Sequence, residues 1–570
     1  MSLESGGTVT VAVPALPTNF NPESPPGANA ITNEVMAGVW PHTFVTDQRF
    51  NQVAGEGFVL SAEVYGVSPF TVVYKLNPKA VWSDGVPIAA SDFIYDWHQE
   101  LHFAALLPHA GIVAGYRQIA SMSGTNSGHT LTVVFKQPFA DWESLFSTVV
   151  PAHVAQQYGW VSAFQGFNAT RVISGGPFMI ASYVPGKRLV LVRNPRYWGT
   201  PAQLSRIVLE VESPPSALAG LETGAISMAE VAPGPAVTNT VARAAGRGVA
   251  LYDSISLTPT LWQLCFNMTD PSLSSLTLRT AIADSLDVAG VTSNSVGLVD
   301  WLEAPNTSRL TIDGQPGSGT AVAPLYDLST ALSLYRQAGY RWGSDGEMRS
   351  GGTGPVLSLS LDVPSGSSDA LAAADNIAAQ LEAIGLRVHV ALVGASQLLG
   401  NLLPLGSYQL AIAPFSVPAN VTGLAAVYTP AETDASLPWS LTGTGESPIG
   451  AEPGAVTAGV VTRNVFGLSD PVVTTDLEQA STQLNQTVSN SYLQKADLQL
   501  WTDLPTIPLF QQPVSLVHRA ALVGVTESPT LQGAFWNVQN WAWQASPPVP
   551  VPTFPGISQV SPIGPTQVAP

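Results

Sequence analysis

Two histidines, His98 and His102, stand four residues apart with Glu100 between them, the most enzyme-like local pattern in this 570-residue chain. On a helix, residues at i and i+4 share a face, so the two imidazoles could share a metal ion. The zincin arrangement places its glutamate directly after the first histidine, whereas Glu100 lies two residues on and points to another face. The spacing therefore favours a structural or surface role over a metal site.

Other signatures of catalysis are missing from the sequence. It contains no G-x-S-x-G elbow, no Walker A loop and no G-x-G-x-x-G turn between a strand and a helix. The run Gly175-Gly176-Pro177 is a poor phosphate loop, because Pro177 has no N–H and no suitable Lys, Ser or Thr follows. Cys265, the only cysteine, stands in an apolar strand-like setting typical of a buried, inert thiol. We therefore predict that the protein is not an enzyme and uses neither cofactor nor metal.

The histidine pair would lie on a helix that follows a strand and a tight turn. Residues 71–76 alternate β-forming and polar side chains, and Ser83-Asp84-Gly85 is turn chemistry in which Gly85 takes a positive φ. We expect Ser91 to cap the next helix and Asp92 to lie in its first turn, where negative charge is favourable. One face of that helix is apolar and carries Phe93, Ile94 and Trp97.

The same alternation of strands and helices occurs elsewhere in the chain. Residues 8–13 alternate as a strand, and 30–38 have helical spacing. Residues 371–384 again follow a helical pattern that Gly385 ends, and 386–393 alternate as a strand. This succession predicts an α/β protein.

Length and composition indicate the number of domains and argue against one class of partner. A chain of 570 residues is long enough for two or three domains at ~100 to 200 residues each. Charged residues make up 11% of it, and 22 basic against 40 acidic residues give a net charge of −18. This balance argues against nucleic acid as a partner, since phosphate binding requires basic patches. No apolar run is long enough to span a membrane.

Two segments are predicted to lack regular structure. The stretch 430–461 is rich in Gly, Pro and Thr and is long for a loop, which indicates an insertion. Proline recurs without periodicity at the end of the chain, and we expect residues 546–570 to form a disordered tail.

Taken in order, several stretches resemble the motifs of the family 5 extracellular solute-binding proteins, the dipeptide and oligopeptide receptors of ABC importers. The strongest is Val81-Trp82-Ser83-Asp84-Gly85 with Asp92-Phe93-Ile94-Tyr95-Asp96-Trp97, which is similar to "WSDGxPxTAxDFxYxW". Looser similarities extend from about residue 8 to 543, at 174–178, 190–199, 217–227, 266–287, 331–340, 464–471 and 504–510. The looser matches and the low charge, together with the proline at position 418 described below, resemble a divergent actinobacterial branch that includes a lipoprotein implicated in mannosylated phosphatidylinositol pathways.

The resemblance implies a two-lobed periplasmic-binding-protein type II fold (cluster C) with mixed sheets and three discontinuous domains. Chain crossings near residues 255 and 502 would act as the hinge between the lobes. The expected limits are 8–40, 172–255 and 503–545 for domain I, 41–171 for domain II, and 256–502 for domain III.

The resemblance also implies a function. The protein would be the extracellular substrate-binding component of an ABC importer, capturing a peptide-like or other small organic solute. It would be a monomer on the outer face of the cell membrane or in the periplasm, with ABC permease subunits as partners. Contact with the membrane would come only from a lipidated cysteine upstream of Met1. The alternative is a non-transport lipoprotein that regulates or scaffolds cell-envelope lipid or glycolipid metabolism on the same fold.

Three candidate ligand contacts follow from the family's cleft. Trp262 precedes Phe266-Asn267, where relatives have aromatic residues that face the pocket. Tyr116 lies in the part of domain II that faces the cleft, and Glu23 lies in the first loop, where some relatives place a carboxylate. The tryptophans within the motifs, Trp82, Trp97 and Trp198, are predicted to be structural.

The stretch from Pro414 to Asn420 departs from the family pattern. Peptide receptors have a tryptophan where this chain has Phe415, and the aspartate that pairs with the peptide's α-ammonium falls on Pro418. A buried ammonium without a counter-charge costs several kcal/mol. Recognition of a free peptide N-terminus at position 418 is therefore not expected. Phe415 and Asn420 are the remaining candidate contacts here, although Asn420 fits a loop role equally well.

Overall fold

The computed structural model describes most of the chain, in the ranges 3–24, 26–55, 57–106, 113–296, 308–312, 315–318, 326–417, 420–430 and 464–544. The predicted tail at 546–570, nearly all of the predicted insertion at 430–461, and Pro418 lie outside the described residues.

Twenty-one strands occur among the described residues. In chain order from β1 to β21 they are Leu3–Glu4, Thr8–Val13, Phe44–Thr46, Gln52–Ala54, Val59–Val67, Phe70–Leu76, Ile119–Thr125, Thr130–Phe135, Phe178–Val184, Arg188–Arg193, Arg206–Val211, Met228–Val231, Leu251–Phe266, Tyr340–Trp342, Met348–Ser350, Ser358–Pro364, Arg387–Val393, Leu410–Ser416, Thr506–Arg519, Leu522–Val523 and Ala542–Gln544.

Fourteen α-helices occur in the same part of the chain. From α1 to α14 they are Ala30–Ala37, Ala90–Leu106, Val113–Arg117, Ala152–Tyr158, Pro214–Thr223, Pro235–Gly246, Leu276–Asp284, Val288–Val296, Leu328–Gln337, Ser368–Ala383, Ala395–Gln397, Val421–Tyr428, Pro471–Thr482 and Gln486–Asp503. None of these helices is long and apolar enough to cross a lipid bilayer.

A ten-stranded mixed sheet runs through the molecule in the order β17-β16-β18-β13-β19-β12-β2-β11-β10-β9. Strand β2 is parallel to β11 and β12, and β16 is parallel to β17 and β18, whereas the other neighbours are antiparallel. A separate antiparallel sheet has the order β5-β6-β8-β7. Helices and mixed sheets confirm the predicted α/β class.

The long strands β13 and β19 connect the two ends of the large sheet. Their pairing is interrupted between Leu257 and Leu261 of β13, opposite Gln511 to Pro513 of β19. Pro259 and Pro513 lie at this interruption, and proline cannot donate a hydrogen bond to a ladder. Continuous backbone hydrogen bonding therefore gives way at the point where both strands pass from one end of the sheet to the other.

Buried side chains on either side of this crossing form separate cores, which define two lobes. The first lobe contains the cores that include Val9, Trp40, Trp82 and Ala229. The second lobe contains two cores on opposite faces of β13: Leu264 and Phe266 belong to one, and Leu261 and Cys265 to the other. Alternation along the strand explains this division, and the predicted burial of Cys265 is confirmed.

The turn at 83–85 matches its prediction. Gly85 has φ +99° and its N–H donates to the carbonyl of Trp82, whose side chain is fully buried. Ser83 is tied to Ser174 in both directions, by Ser83 N–H to the Ser174 carbonyl at 2.7 Å and by Ser174 N–H to Ser83 Oγ at 3.0 Å. These hydrogen bonds thus join two motifs that lie about ninety residues apart in the sequence.

The predicted start of helix α2 was wrong by two residues. The helix begins at Ala90, so Ser91 already lies in its first turn and is exposed. Asp92 takes the capping role instead: its Oδ2 accepts a hydrogen bond from Ala89 N–H at 2.9 Å and its Oδ1 from Ala152 N–H at 3.0 Å. The second bond comes from another helix, which local sequence does not reveal.

Candidate functional site

The two lobes touch at the N-terminus of α12. Asp141 of the first lobe accepts hydrogen bonds at Oδ2 from Thr422 N–H at 2.9 Å and from Thr422 Oγ1 at 2.8 Å. Nearby, Ala140 N–H donates to the carbonyl of Ser481 at 2.7 Å. A carboxylate at the first turn of a helix is favoured by the helix dipole. This contact brings the lobes together and marks one edge of the space between them.

Glu23 lies in the first-lobe loop that follows β2. Its backbone N–H donates to Asn21 Oδ1 at 3.1 Å, which holds the loop, and its Oε1 accepts a long hydrogen bond from Ser147 Oγ at 3.5 Å. The side chain is half-buried. Burial raises the pKa of Glu23 to about 7, although the Ser147 hydroxyl opposes the shift. A carboxyl with this pKa changes charge within the physiological range.

The turn that carries Ser147 is strained and firmly held. Phe146 has φ +56°, a conformation that costs a non-glycine residue about 1–3 kcal/mol. Its N–H donates to Tyr116 Oη at 2.9 Å, and its carbonyl accepts from Thr43 Oγ1 at 2.6 Å. The Ser147 carbonyl lies 2.5 Å from His42 Nδ1. These bonds fix the Ser147 hydroxyl where it reaches Glu23.

Tyr116 lies on α3 and is only 4% exposed. Its ring packs edge-on against Phe146 with centroids 5.3 Å apart, and its carbonyl accepts a hydrogen bond from Trp97 Nε1 at 3.1 Å. Helix α3 also packs against α12 of the second lobe. Tyr116 and Glu23 are therefore held by consecutive residues of one turn, Phe146 and Ser147.

Helix α2 contributes three carboxyl groups that the sequence reasoning missed as a set. Asp92, Asp96 and Glu100 are spaced at i, i+4 and i+8 and are 3%, 2% and 4% exposed, respectively. Asp96 Oδ2 accepts from Val150 N–H at 3.1 Å, but neither Asp96 Oδ1 nor Glu100 Oε1 has a hydrogen-bond partner. Their spacing was the available signal, since it puts all three on one face of the helix.

The histidine pair of the same helix is arranged differently. His102 is exposed, whereas Glu100, which stands between the two histidines, is buried. The side chains of His102 and Glu100 therefore do not converge on a shared position. Within the described ranges, no three His, Cys, Asp or Glu side chains are placed so that they could hold a metal ion.

A second acidic group lines the first lobe between α1, β12 and the segment after β20. Glu34, Glu230 and Glu527 repel one another, and burial raises all three pKa values, that of Glu527 to about 8. Glu230 is nevertheless exposed, although it lies on a strand inside the large sheet. Solvent therefore reaches this face of the sheet at Glu230.

In the second lobe, Trp262 lies beside the interruption of β13. Its indole stacks on Phe510 with centroids 5.9 Å apart, and it is 7% exposed. Nε1 donates to Gln512 Oε1 at 2.7 Å, and Gln512 Nε2 lies 3.5 Å from Asp369 Oδ2. The indole is thus held rigidly at the crossing between the lobes.

The other two predicted contacts have structural partners. Phe415 is 1% exposed and stacks on Phe466 at 5.6 Å in a core of the second lobe. Asn420 caps α12, with Oδ1 accepting from Gly423 N–H at 2.8 Å. The structure therefore brings Glu23 and Tyr116 together and places Trp262, Phe415 and Asn420 separately in the second lobe. Ligand binding by these five residues stays a prediction.

Comparison with known proteins agrees with this architecture. Residues 68–446 match the family model described as "Bacterial extracellular solute-binding proteins, family 5 Middle". The chain is 26% identical over 553 residues to a probable monoacyl phosphatidylinositol tetramannoside-binding protein, LpqW, of Mycobacterium tuberculosis, covering 86% of this chain and 84% of that protein. It is 27% identical over 236 residues to the oligopeptide-binding protein OppA of Mycobacterium bovis, covering 40% and 38%.

The fold is shared with solved structures. The periplasmic EDTA-binding protein EppA superposes with a TM-score of 0.80 at 24% sequence identity, covering 95% of this chain and 97% of that one. At this level of identity the likeness establishes the two-lobed periplasmic-binding-protein fold. The family match covers more than half of the chain, and it shows that the chain belongs to the family 5 bacterial extracellular solute-binding proteins.

Proposed function

We propose that this protein is the extracellular substrate-binding component of an ABC importer and captures a peptide-like or other small organic solute between its lobes. The observation that carries the proposal is the lobe contact of Asp141 and Thr422, formed beside the buried polar groups around Glu23 and Tyr116. Closure of two lobes around a ligand excludes water and creates a form that a membrane partner can recognise.

The names of the relatives support capture of a ligand. OppA is named for binding oligopeptides, and LpqW is named as a probable binder of a mannosylated phosphatidylinositol. Solute binding is therefore favoured over the alternative from the sequence, a non-transport regulator or scaffold of cell-envelope lipid metabolism. These relatives are binding proteins rather than enzymes, which agrees with a binding role here.

Location and partners follow from membership in an extracellular family. The protein acts outside the cytoplasm, in the periplasm or at the cell surface. The finer parts of the proposal are a lipid anchor, a monomeric state and docking to ABC permease subunits. The domain limits predicted from the sequence, with domain III at 256–502 between the two long strands, also belong to the proposal.

Native mass spectrometry of the purified protein tests ligand capture. We expect a mass above that of the bare chain, a small solute in the denatured extract, and a melting temperature that falls when this solute is removed. At a ligand concentration 100 times the Kd, binding to the folded state adds about 2.7 kcal/mol to the free energy of unfolding.

Small-angle scattering with the extracted solute provides the second measurement. The radius of gyration should decrease on addition of the solute, because the lobes close. Bare protein in the native spectrum, with no compaction by any cell extract, would contradict the proposal. Recovery of an acylated mannoside from the protein would favour the lipid-related alternative.

A further inference from the structure

A polar cavity of about 430 Å³ lies in the second lobe, between the end of β13, strand β16 and the turn that leads into β18. Asn267, which lines it, stands six residues beyond Leu261, where the interrupted pairing of β13 resumes. At about 3.4 Å per residue, the cavity is roughly 20 Å along the strand from the crossing between the lobes. It is therefore separate from the space in which the lobes meet.

The polar side of β16 forms one wall of this cavity. Leu359, Leu361 and Val363 pack in a core, so the half-buried Ser360 and Asp362 between them point to the opposite face of the sheet. Strand β18 and the second-lobe half of β13 are instead buried on both faces. The polar residues of β16 thus leave open a face that apolar side chains close on the neighbouring strands.

Asn267 holds the other wall in place. Its Nδ2 donates to the carbonyls of Gly406 at 2.9 Å and Tyr408 at 2.7 Å. Its Oδ1 accepts hydrogen bonds from Thr269 N–H at 3.0 Å and from Thr269 Oγ1 at 2.6 Å. The whole amide is committed to these bonds, so Asn267 shapes the cavity and leaves ligand recognition to other groups.

Gln409 links the two walls. Its Oε1 accepts from Ser360 N–H at 2.9 Å, and its Nε2 donates to Asp270 Oδ2 at 3.4 Å. Asp270 Oδ1 also accepts from Ser272 N–H at 2.9 Å. Asp362 accepts no hydrogen bond from the described part of the chain. Both carboxylates therefore keep lone pairs that a ligand can use, within a frame that is already fixed.

The lining disfavours three classes of ligand. None of the lining residues is basic, which argues against an anion. The one aromatic residue among them, Tyr408, is 6% exposed and donates its hydroxyl to the Val465 carbonyl, so it offers little surface to an apolar solute. A metal ion is disfavoured as well, because no three His, Cys, Asp or Glu side chains of the described residues are arranged to hold one.

Saccharide hydroxyls match the groups that remain. Each hydroxyl can donate to a carboxylate and accept from a serine at the same time. Ser360 Oγ and the exposed Ser407 Oγ supply such partners beside Asp362. The hydrogen bonds that Asp270 already accepts stabilise its charged form, which reduces its need for a cationic partner. The cavity volume lies within the range of about 300–1,000 Å³ found for small-molecule sites.

We propose that this cavity is a second binding site, which takes a neutral saccharide through Asp270, Asp362, Ser360 and Ser407. The saccharide is either a free sugar or the end of a glycan chain, since both present the same hydroxyl groups. This inference goes beyond the capture of a solute between the lobes: the site lies within one lobe and does not depend on closure.

Saturation-transfer NMR on the full-length protein tests the proposal. Free disaccharides of glucose, mannose and galactose are compared with their permethylated forms, which keep the rings but have no O–H donor. We expect saturation transfer to the free disaccharides only. Retention of the protein on immobilised dextran or mannan, without transfer to the disaccharides, would identify a glycan chain as the ligand.

Two cavity variants and one control locate the binding. Asp362→Asn should lower the affinity about tenfold or more, because a charged acceptor is lost. Ser407→Tyr, at an exposed loop position, should fill the cavity and abolish binding even if the strand variant does not fold. Asp375→Asn removes a charge from an exposed position of α10 in the same lobe and should bind as the native protein does.

Equal transfer to the permethylated forms would overturn the second site. So would unchanged binding in the folded cavity variants, or the absence of both transfer and retention. The solute that co-purifies with the protein reports on the proposed function separately, and Ser407→Tyr should retain it. Loss of that solute together with saccharide binding in Ser407→Tyr would show that the two sites are not independent and would also contradict the inference.

Discussion

Three glutamates with raised pKa values make the first lobe sensitive to pH at the level of single residues. Glu34, Glu230 and Glu527 approach one another from α1, β12 and the segment after β20, and burial dominates each shift. A group whose folded pKa lies above its unfolded pKa contributes stability below the unfolded value, and this contribution is lost as pH rises through the folded value. For Glu527 this contribution to stability is lost as the pH rises from about 4.5 to about 8.

We expect the free energy of unfolding to fall between pH 5 and pH 9, and Glu527→Gln to reduce that fall. At pH 8 the variant should be more stable than the native protein by about 2 kcal/mol, discounted for partial exposure of the side chain. Chemical denaturation across this pH range measures the effect, with Glu63→Gln as the control. Parallel pH curves for the Glu527 variant and the native protein would contradict the expectation.

At the scale of elements, the turn at 83–85 shows how a family hallmark serves the scaffold. Gly85 adopts φ +99°, and a Cβ at this position would lie 2.3 Å from Arg196 Nη1. Trp82, in the same turn, packs beneath Gly175 of the segment that Ser83 binds. The turn therefore joins β6 and α2 to the middle of the first lobe without presenting a group to the ligand.

Gly85→Ala should lower the free energy of unfolding by about 1–2 kcal/mol, because alanine is strained at φ +99°, whereas the exposed Arg196 side chain can move away from the added Cβ. Gly186→Ala is the matched control: Gly186 has φ +65° but no atom within 4 Å of the added Cβ. The control has a φ closer to the left-handed helical region and should lose about 1 kcal/mol or less. Ligand affinity should be unchanged in both, and an affinity loss confined to Gly85→Ala would assign the turn a role in binding.

At the scale of the whole molecule, we expect closure to depend on the contact of Asp141 with Thr422. Thr422 donates twice to Asp141, and these residues are 281 positions apart in sequence. Burial raises the pKa of Asp141, while the bonds from Thr422 oppose the shift. Strands β13 and β19 also connect the lobes, and we propose that the angle between the lobes changes where their pairing is interrupted.

Thr422→Val removes the hydroxyl donor and should shift the unliganded protein toward an open form. Loss of a hydrogen bond to a charged group costs about 1.5–3 kcal/mol, so the apparent affinity should fall about tenfold or more. Scattering should show a larger radius of gyration, whereas Thr422→Ser keeps the donor and should behave as the native protein does. Unchanged affinity and radius in the valine variant would show that the contact does not govern closure.

The sequence by itself determined the local elements, because short-range chemistry governs them. Strand β2 at Thr8–Val13 has its predicted bounds, and α10 and β17 differ from theirs by a few residues. The apolar setting of Cys265 predicted its burial, and the motif around Trp82 indicated the family. Each of these features depends on neighbours within a few positions or on an ordered succession of motifs.

Only the tertiary structure decided which groups meet and what their charge states are. Glu23 lies 77 positions before Glu100 and 124 before Ser147, and no local pattern predicts that they converge. Asp92 was expected in the first turn of its own helix, and it also accepts a hydrogen bond from Ala152 N–H. Burial and electrostatic coupling sum over every surrounding element, so a pKa shift or an unsatisfied carboxyl exists only once the chain has folded.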